Sequence, residues 1–247
     1  MVQKQHPTSL VVGAGEIGKG LYEVLHDAHG ESVFIRDVEP KSGLPKHVDY
    51  LHITFPYSQR FEEYVNTYIS FYNPSIVIIH STVPIGTTSR ISHPKTVHSP
   101  VRGKHPNLAN SIRTFVKFIG GEKEVANKVA EYFINAKIKT IVFDKSQTTE
   151  MLKIISTTLY GWQIIACKEV ARICDKYNLN FEEVYTVANK TYNEGYEELG
   201  MGHYRKPYLR PMEGKIGGHC VVPNCDLLED VFTQLVKDFD KIYENEI

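Results

Sequence analysis

Residues Ser9–Asp37, SLVVGAGEIGKGLYEVLHDAHGESVFIRD, decide the fold. Leu10-Val11-Val12 is a short, β-branched apolar run of the kind that forms a buried parallel strand. Gly13-Ala14-Gly15-Glu16-Ile17-Gly18 follows at once, and Ile17, Leu21, Val24 and Leu25 then recur on one helical face. A second apolar run, Val33-Phe34-Ile35, ends at Asp37, nineteen residues past Gly18. In a dinucleotide site each part has a physical task. Gly13 permits the tight turn, Gly15 lets the backbone approach a pyrophosphate, and Gly18 allows close helix–strand packing. The N–H groups of the helix start, including those of Glu16 and Ile17, face the phosphates. Asp37 is placed to accept hydrogen bonds from a ribose diol and to repel a 2′-phosphate, which favours NAD over NADP. Arg36 beside it pulls the other way. A glycine motif that follows a strand, opens a helix and is answered by an acid at this spacing is a specific signal.

The rest of the chain extends that pattern. Strands are expected at Asp49–Phe55, Ser75–His80, Thr96–Ser99, Phe115–Ile119 and Lys139–Phe143, with helices over Ser58–Tyr72 and Glu122–Ala136 between them. Strands alternating with helices predict an α/β, Rossmann-type, doubly wound and mostly parallel sheet. Ligands then bind at the carboxyl ends of its strands. From Asp144 to about Tyr177 no proline interrupts a helical pattern. This predicts a long central helix whose stripe is Leu152, Ile155, Leu159, Trp162, Ala166, Val170 and Ile173. Ile154, Ile164 and Ile165 lie off that stripe and form a second apolar face. A helix from Asn180, a Gly/Pro-rich loop over Gly200–Pro223 and an amphipathic helix from Leu227 complete the chain. The expected division is a nucleotide-binding domain at 1–145 and a helical segment at 146–247. The long stripe exceeds what so few remaining elements can cover, so a homodimer through the helix at 146–176 is expected.

Composition excludes several function classes. The 247 residues carry 28 basic and 29 acidic side chains, a net charge of −1, which leaves no nucleic-acid footprint. No apolar run approaches a membrane span, residues 1–8 lack a signal-peptide core, and four cysteines make no disulfide scaffold. A cytoplasmic protein is expected. The eleven histidines form no H-x-x-x-H pair, so no metal is expected. Cys167 and Cys174 share a helical face and read as core fillers.

Two other residues could carry chemistry. Gly214-Lys215-Ile216-Gly217-Gly218-His219-Cys220 places a thiol on a glycine-rich loop beside a histidine, where it is either a nucleophile or an incidental thiol. Lys153, among Met151, Leu152, Ile154 and Ile155, is either a desolvated acid–base or oxyanion group or a lysine reaching for solvent.

Taken in order, the glycine motif, Ser81-Thr82-Val83-Pro84-x-Gly86-Thr87-Thr88, Ser99-Pro100, Glu150-x-x-Lys153 and Gly214-x-Ile216-Gly217-Gly218-His219-Cys220 resemble the UDP-glucose/GDP-mannose dehydrogenase family. The GGHC form is most similar to UDP-N-acetylmannosamine dehydrogenases, and the likeness covers nearly the whole chain. It implies oxidation of an alcohol to a carboxylate with two NAD. Cys220 would form thiohemiacetal and thioester intermediates, Lys153 would stabilise the oxygen, and Thr82 would help order the catalytic water. Ser81 and Thr82 would also flank the cofactor. The family's C-terminal nucleotide-sugar-binding domain has no counterpart here, so a shortened form is expected.

Three positions depart from the family pattern. Val101, followed by Arg102, stands where the family has Glu; Thr157 stands for Asn; and Asn224 stands for Asp. Arg102, Thr157, Arg210, His219 and Asn224 are therefore the candidate substrate residues, and their charge suits an anionic small molecule. The resulting expectation is an NAD-dependent oxidoreductase of the nucleotide-sugar dehydrogenase type, acting on an alcohol or aldehyde with a cysteine nucleophile. Two alternatives stand beside it: a single-hydride dehydrogenase of the β-hydroxyacid/6-phosphogluconate type, and a non-catalytic NAD-binding protein.

Overall fold

A computed structural model describes residues 6–39, 42–104, 106–218 and 220–244. Strands β1 (Ser9–Val12), β2 (Val33–Arg36), β3 (Tyr50–Ile53), β4 (Ile76–Ile79), β5 (Thr96–His98), β6 (Lys117–Gly120) and β7 (Thr140–Phe143) form one sheet in the order β2-β1-β3-β4-β5-β6-β7. The first five run parallel, while β6 meets β5 antiparallel through the single pair His98↔Gly120 and pairs parallel with β7. Between the strands lie α1 (Glu16–His29), α2 (Phe61–Tyr72), α3 (Thr87–Arg90), α4 (Leu108–Thr114) and α5 (Lys123–Asn135). Helix α6 (Ser146–Lys176) follows, then a π-helical turn at Glu182–Val187, α7 (Ala188–Glu198), α8 (Val221–Cys225) and α9 (Val231–Glu244). By contacts the chain divides at Lys153/Ile154 into two units.

In the first unit the two-residue strand period sorts the apolar side chains onto both faces. Val11, Ile78 and Val97 pack with Leu21 and Leu25 of α1 and Phe133 of α5. Leu10, Val12, Leu51, Ile53, Val77 and Ile79 pack with Phe61 and Val65 of α2. Because β2 and β3 flank β1 on opposite sides, the chain reverses direction there. The crevice at the carboxyl ends of β1 and β3 is the topological switch point where such sheets bind ligands.

In the second unit, α6 keeps its predicted length but turns a different face inward. Ile154, Thr158, Gly161 and Ile165 are buried, whereas Leu159 and Ile173 of the expected stripe remain 49% and 45% exposed. The reason lies at Gly161, where an added Cβ would meet Val221 Cγ1 at 2.8 Å and Val236 Cγ1 at 2.9 Å. Helices α8 and α9 can approach only over that small-residue face, and Ile165, Ile216, Val221, Cys225, Val236 and Tyr243 form the resulting cluster. Cys167 and Cys174 are each 1% exposed, as expected of core fillers. The Gly200–Pro223 stretch is not wholly loop: it runs into α8, whose Pro223 sits in the first turn, where a missing N–H costs nothing. The last helix starts at Val231 rather than Leu227, because the Asp230 carboxylate accepts from Phe232 N at 2.8 Å and caps it there.

A buried polar chain crosses the sheet beneath α5. Ser99 O can only accept, so His80 Nδ1 donates to it at 2.8 Å. Neutral His80 then accepts at Nε2 from His52 Nδ1–H at 3.0 Å, which leaves His52 Nε2 a bare lone pair. Among the described residues that nitrogen has no partner. Lys117 Nζ donates to the same Ser99 O at 2.8 Å and lies 5.5 Å from the Phe133 ring centroid. Burial holds His52 and His98 at about 3 and His80 well below the usual imidazole value, and it lowers Lys117 to about 7.

Each lowered group binds fewer protons folded than unfolded, so stability rises with pH between its two values. Below about pH 6.5 each of the three histidines removes ~1.4 kcal/mol per pH unit. Thermal melts should therefore lose on the order of 10 °C for the first unit of acidification below 6.5. Lys117 adds the same sign between about 7 and the ordinary lysine value of 10.5, so stability keeps rising in mild base. A melting temperature flat from pH 7.5 to 5.5 would mean that these histidines titrate normally.

Candidate functional site

The turn Gly13–Gly18 is built as the glycine spacing predicts. Gly13 has φ +105°, and an added Cβ there would meet Phe55 N and Thr54 Oγ1, each at 2.9 Å. At Gly18 a Cβ would lie 1.7 Å from Gly13 O, so the helix start presses directly on the turn. Gly15 differs: its φ is −71° and nothing lies within 4 Å of its Cβ direction. The space a pyrophosphate needs is therefore open, and it faces a helix N-terminus with no side-chain cap. Glu16 is exposed in the first turn of α1, while Ile17 is half-buried against the core. These features fit a dinucleotide. Beside the turn, Val12, Gly13, Asp37, Val38, Phe55, Tyr64 and Tyr68 line a cleft of about 330 Å³. Asp37 is exposed at its rim, just past β2.

Arg36 is anchored against the residues of that rim. Its guanidinium donates to Tyr72 OH at 2.8 Å, Asp37 O at 3.0 Å and Val38 O at 2.9 Å, and lies 5.1 Å from the Tyr68 ring centroid. Two contributors escaped the sequence reading. The Thr54 hydroxyl shares its proton between Val12 O (2.8 Å) and Gly13 O (2.9 Å), bracing the turn from behind. Glu150, buried at the start of α6, accepts Gly86 N at 2.6 Å and Thr88 N at 2.9 Å. It thus caps α3 and ties the Ser81–Thr88 loop to α6. The Glu150-x-x-Lys153 spacing was visible in sequence, but the capping partner sits 62 residues away from Thr88 in chain order.

Around that loop, the buried Ser81 hydroxyl donates to Phe55 O at 2.5 Å, so it serves the backbone, and Thr82 is half-buried beside it. His98 joins Ser81 O (3.0 Å) to Thr149 Oγ1 (2.8 Å). Lys153 is half-buried one turn past Glu150, and its charge reaches Lys117 and His98, lowering both further. Val101 is 6% exposed and belongs to the core, so the position of the expected acid is filled by packing. Arg102 lies 4.9 Å from the centroid of Phe118 and 5.6 Å from that of Phe115.

In the second unit, Thr157 and Asn224 come together: Asn224 Nδ2 donates to Thr157 Oγ1 at 3.2 Å. Two of the positions that depart from the family pattern are thus direct neighbours. Cys220 is half-exposed at the start of α8, one turn before Asn224, whose N donates to Cys220 O at 3.2 Å. Arg210 is exposed on the preceding segment, and His219 lies outside the described residues. Among the described residues no cluster of three metal-ligating side chains occurs, and no helix is long and apolar enough to cross a membrane.

No family model matches the chain. It is 30% identical over 160 residues to the UDP-N-acetyl-D-mannosamine dehydrogenase of Methanocaldococcus jannaschii, a match covering 60% of this chain and 34% of that protein. Its relatives are nucleotide-sugar dehydrogenases. The solved UDP-D-ManNAc dehydrogenase of Pyrococcus horikoshii superposes with a TM-score of 0.78 at 18% identity, over 95% of this chain and 68% of that one. The 3-hydroxyisobutyrate dehydrogenase of Mycobacterium tuberculosis gives 0.75 at 14% identity, over 98% and 95%. At such identities the two structures establish the shared Rossmann-type fold. The chain thus matches only about a third of the length of its M. jannaschii relative.

The two inner glycines make a paired test. Gly15→Ala should fold and melt normally yet lose dinucleotide affinity, because the methyl enters open space meant for phosphate. Gly18→Ala should destabilise the fold itself by several kcal/mol, of order 3 or more, because its methyl meets backbone. Equal NAD affinity in Gly15→Ala and the parent, by titration calorimetry, would move the phosphates elsewhere.

Proposed function

We propose that the chain is an NAD-dependent dehydrogenase of the nucleotide-sugar type, acting on the CH–OH of a sugar-derived or anionic small molecule. The observation that carries this reading is the open space at Gly15 against the closed contact at Gly18, with Asp37 on the rim of the adjoining cleft. NAD, when bound, supplies the hydride acceptor. Asp37 accepts the ribose hydroxyls, and its carboxylate repels a 2′-phosphate. NAD is therefore preferred over NADP.

For the chemistry, Lys153 holds the substrate oxygen as its charge changes, and Thr82 orders water. Cys220 is the nucleophile. In each of two oxidations, with NAD held by the Gly13–Gly18 turn and Asp37 to accept the hydride, Lys153 would hold the substrate oxygen as its proton departs. Between them the Cys220 sulfur would add to the aldehyde carbon, and after the second oxidation water would cleave the thioester to a carboxylate and the free thiol. Asn224, one turn past Cys220, and its hydrogen-bond partner Thr157 on α6 contact the substrate. Arg102 and the exposed Arg210 supply positive charge for an anionic group, and His219, next to Cys220 in sequence, is a further substrate candidate.

One observation favours a second reading, a single-hydride oxidation that stops before the acid. The two positions where the resembled family carries carboxylates hold Val101, which is packed in the core, and Asn224, which is spent on Thr157. Turnover assays with UDP-N-acetylmannosamine, UDP-glucose and 3-hydroxyisobutyrate separate the two. The first reading expects NADH from a nucleotide-sugar, two per substrate, and loss of the second equivalent in Cys220→Ser with NAD affinity intact. One NADH per substrate, unchanged in Cys220→Ser, favours the second, and tighter NADP than NAD binding removes the cofactor assignment.

The quaternary reading follows from α6 and its neighbours. Leu159, Tyr160, Ile173, Tyr177 and Leu179 stay 45–64% exposed. A second copy of the chain covers them across a two-fold axis. Light scattering at micromolar concentration should give twice the 28.2 kDa chain mass; a monomer mass would remove the dimer.

A further inference from the structure

The stretch from Arg205 to Cys220 runs without helix or strand among its described residues, and it carries the proposed nucleophile at its end. A segment of this length holds one conformation only if its backbone groups find partners. Its first part is tied to Asn193, which takes Lys206 N at 2.7 Å and donates to Lys206 O at 2.8 Å, and to Cys167, whose thiol donates to Leu209 O at 3.4 Å. The part that leads to Cys220 is held separately. Lys168, on α6, donates from Nζ to Met212 O and, at 2.6 Å, to Gly214 O. Its ammonium lies 4.5 Å from the Tyr243 ring centroid, and Tyr243 OH donates to Glu169 Oε1 at 3.1 Å. Two residues on, Ile216 N donates to Asp240 Oδ1 at 2.7 Å and the Ile216 side chain is 4% exposed, while Lys215 pairs with Glu244 at 2.5 Å. The ties of this second part fall on Met212–Ile216. They stop just before Gly217 and Gly218, the latter at φ +89°.

We propose that Lys168 is a positioning residue for the Cys220 loop: by clamping the Met212 and Gly214 carbonyls to α6, it sets where the thiol stands. The proposal rests on the reading of Cys220 as nucleophile, and it reaches beyond that reading by assigning a task to a lysine the sequence left unremarked. An ammonium is suited to it. Its donors are tetrahedral and can serve two carbonyls of one turn at once, and charge-assisted bonds are the stronger kind. With the clamp closed, the glycine freedom that lets the loop approach a substrate is confined to Gly217 and Gly218. With it open, Gly214 joins the free segment, and the thiol spends its time over a larger volume, which costs rate through lost orientation.

The test uses the full chain with Lys168→Met, which keeps the length of the stem but removes the donors, and Lys168→Arg, which restores two-carbonyl donation. The readout is the rate of Cys220 alkylation by iodoacetamide, mapped by peptide mass, together with amide exchange across 212–218. Lys168→Met should alkylate several-fold faster and exchange faster across that segment, Lys168→Arg should return towards the parent, and NAD affinity should not move. In turnover with UDP-N-acetylmannosamine the Met variant should lose kcat on the order of tenfold with KM little changed. Should Lys168→Met fail to fold, Asp240→Asn, which weakens the neighbouring tie to Ile216 N, gives the same directions at smaller size. Parent-like alkylation and exchange in a folded Lys168→Met would overturn the clamp. Parent-like turnover in Cys220→Ser overturns the nucleophile instead and leaves the alkylation readout of the clamp standing.

Discussion

Gly18 packs so closely on Gly13 that no side chain larger than hydrogen fits between the helix and the turn. That single approach determines where α1 begins, and hence where its unpaired N–H groups point. Thr54 braces the same turn through Val12 O and Gly13 O, so the end of β3 shares in holding it. The switch point between β1 and β3 then opens beside the turn, with Asp37 and the aromatic wall of Phe55, Tyr64 and Tyr68 around it. The cleft is thus a consequence of one backbone contact and of strand order, and it needs no special loop.

Polar groups on the remaining strands serve the same end of the sheet. His80, Ser99 and Lys117 form a buried hydrogen-bonded set under Phe133, and His98 links Ser81 O to Thr149. Burying so many titratable groups is costly unless they stay neutral or paired, which is why the imidazoles are held neutral and Lys117 is brought down to about 7. The return is a rigid backbone at Ser81, Ser99 and Pro100. Glu150 extends that rigidity to the Thr87–Arg90 turn by accepting the N–H groups of Gly86 and Thr88.

The second unit works by different means. Its core is small, and Gly161 lets α8 and α9 come close enough to make it. Side chains of α6 and α9, chiefly Lys168 and Asp240, order the loop ahead of Cys220 where no sheet is available to do so.

Local chemistry alone determined the glycine turn, the apolar strands and the long α6. A φ of +105° at Gly13, β-branched runs and an uninterrupted helical period are each written within a few neighbouring residues. Tertiary structure decided the rest. Helical periodicity marked two apolar faces on α6, but only the approach of α8 and α9 over Gly161 selected Ile154 and Ile165 for burial and left Leu159 outside. Strand β6 is apolar read in either direction, so its antiparallel pairing with β5 was not legible. The Thr157–Asn224 bond, the Glu150 cap and the Lys168 clamp each join residues 44 to 67 positions apart. The physical reason is the same in each case: a side chain's type is local information, but which donor meets which acceptor is fixed only when distant segments are brought within hydrogen-bond distance of each other.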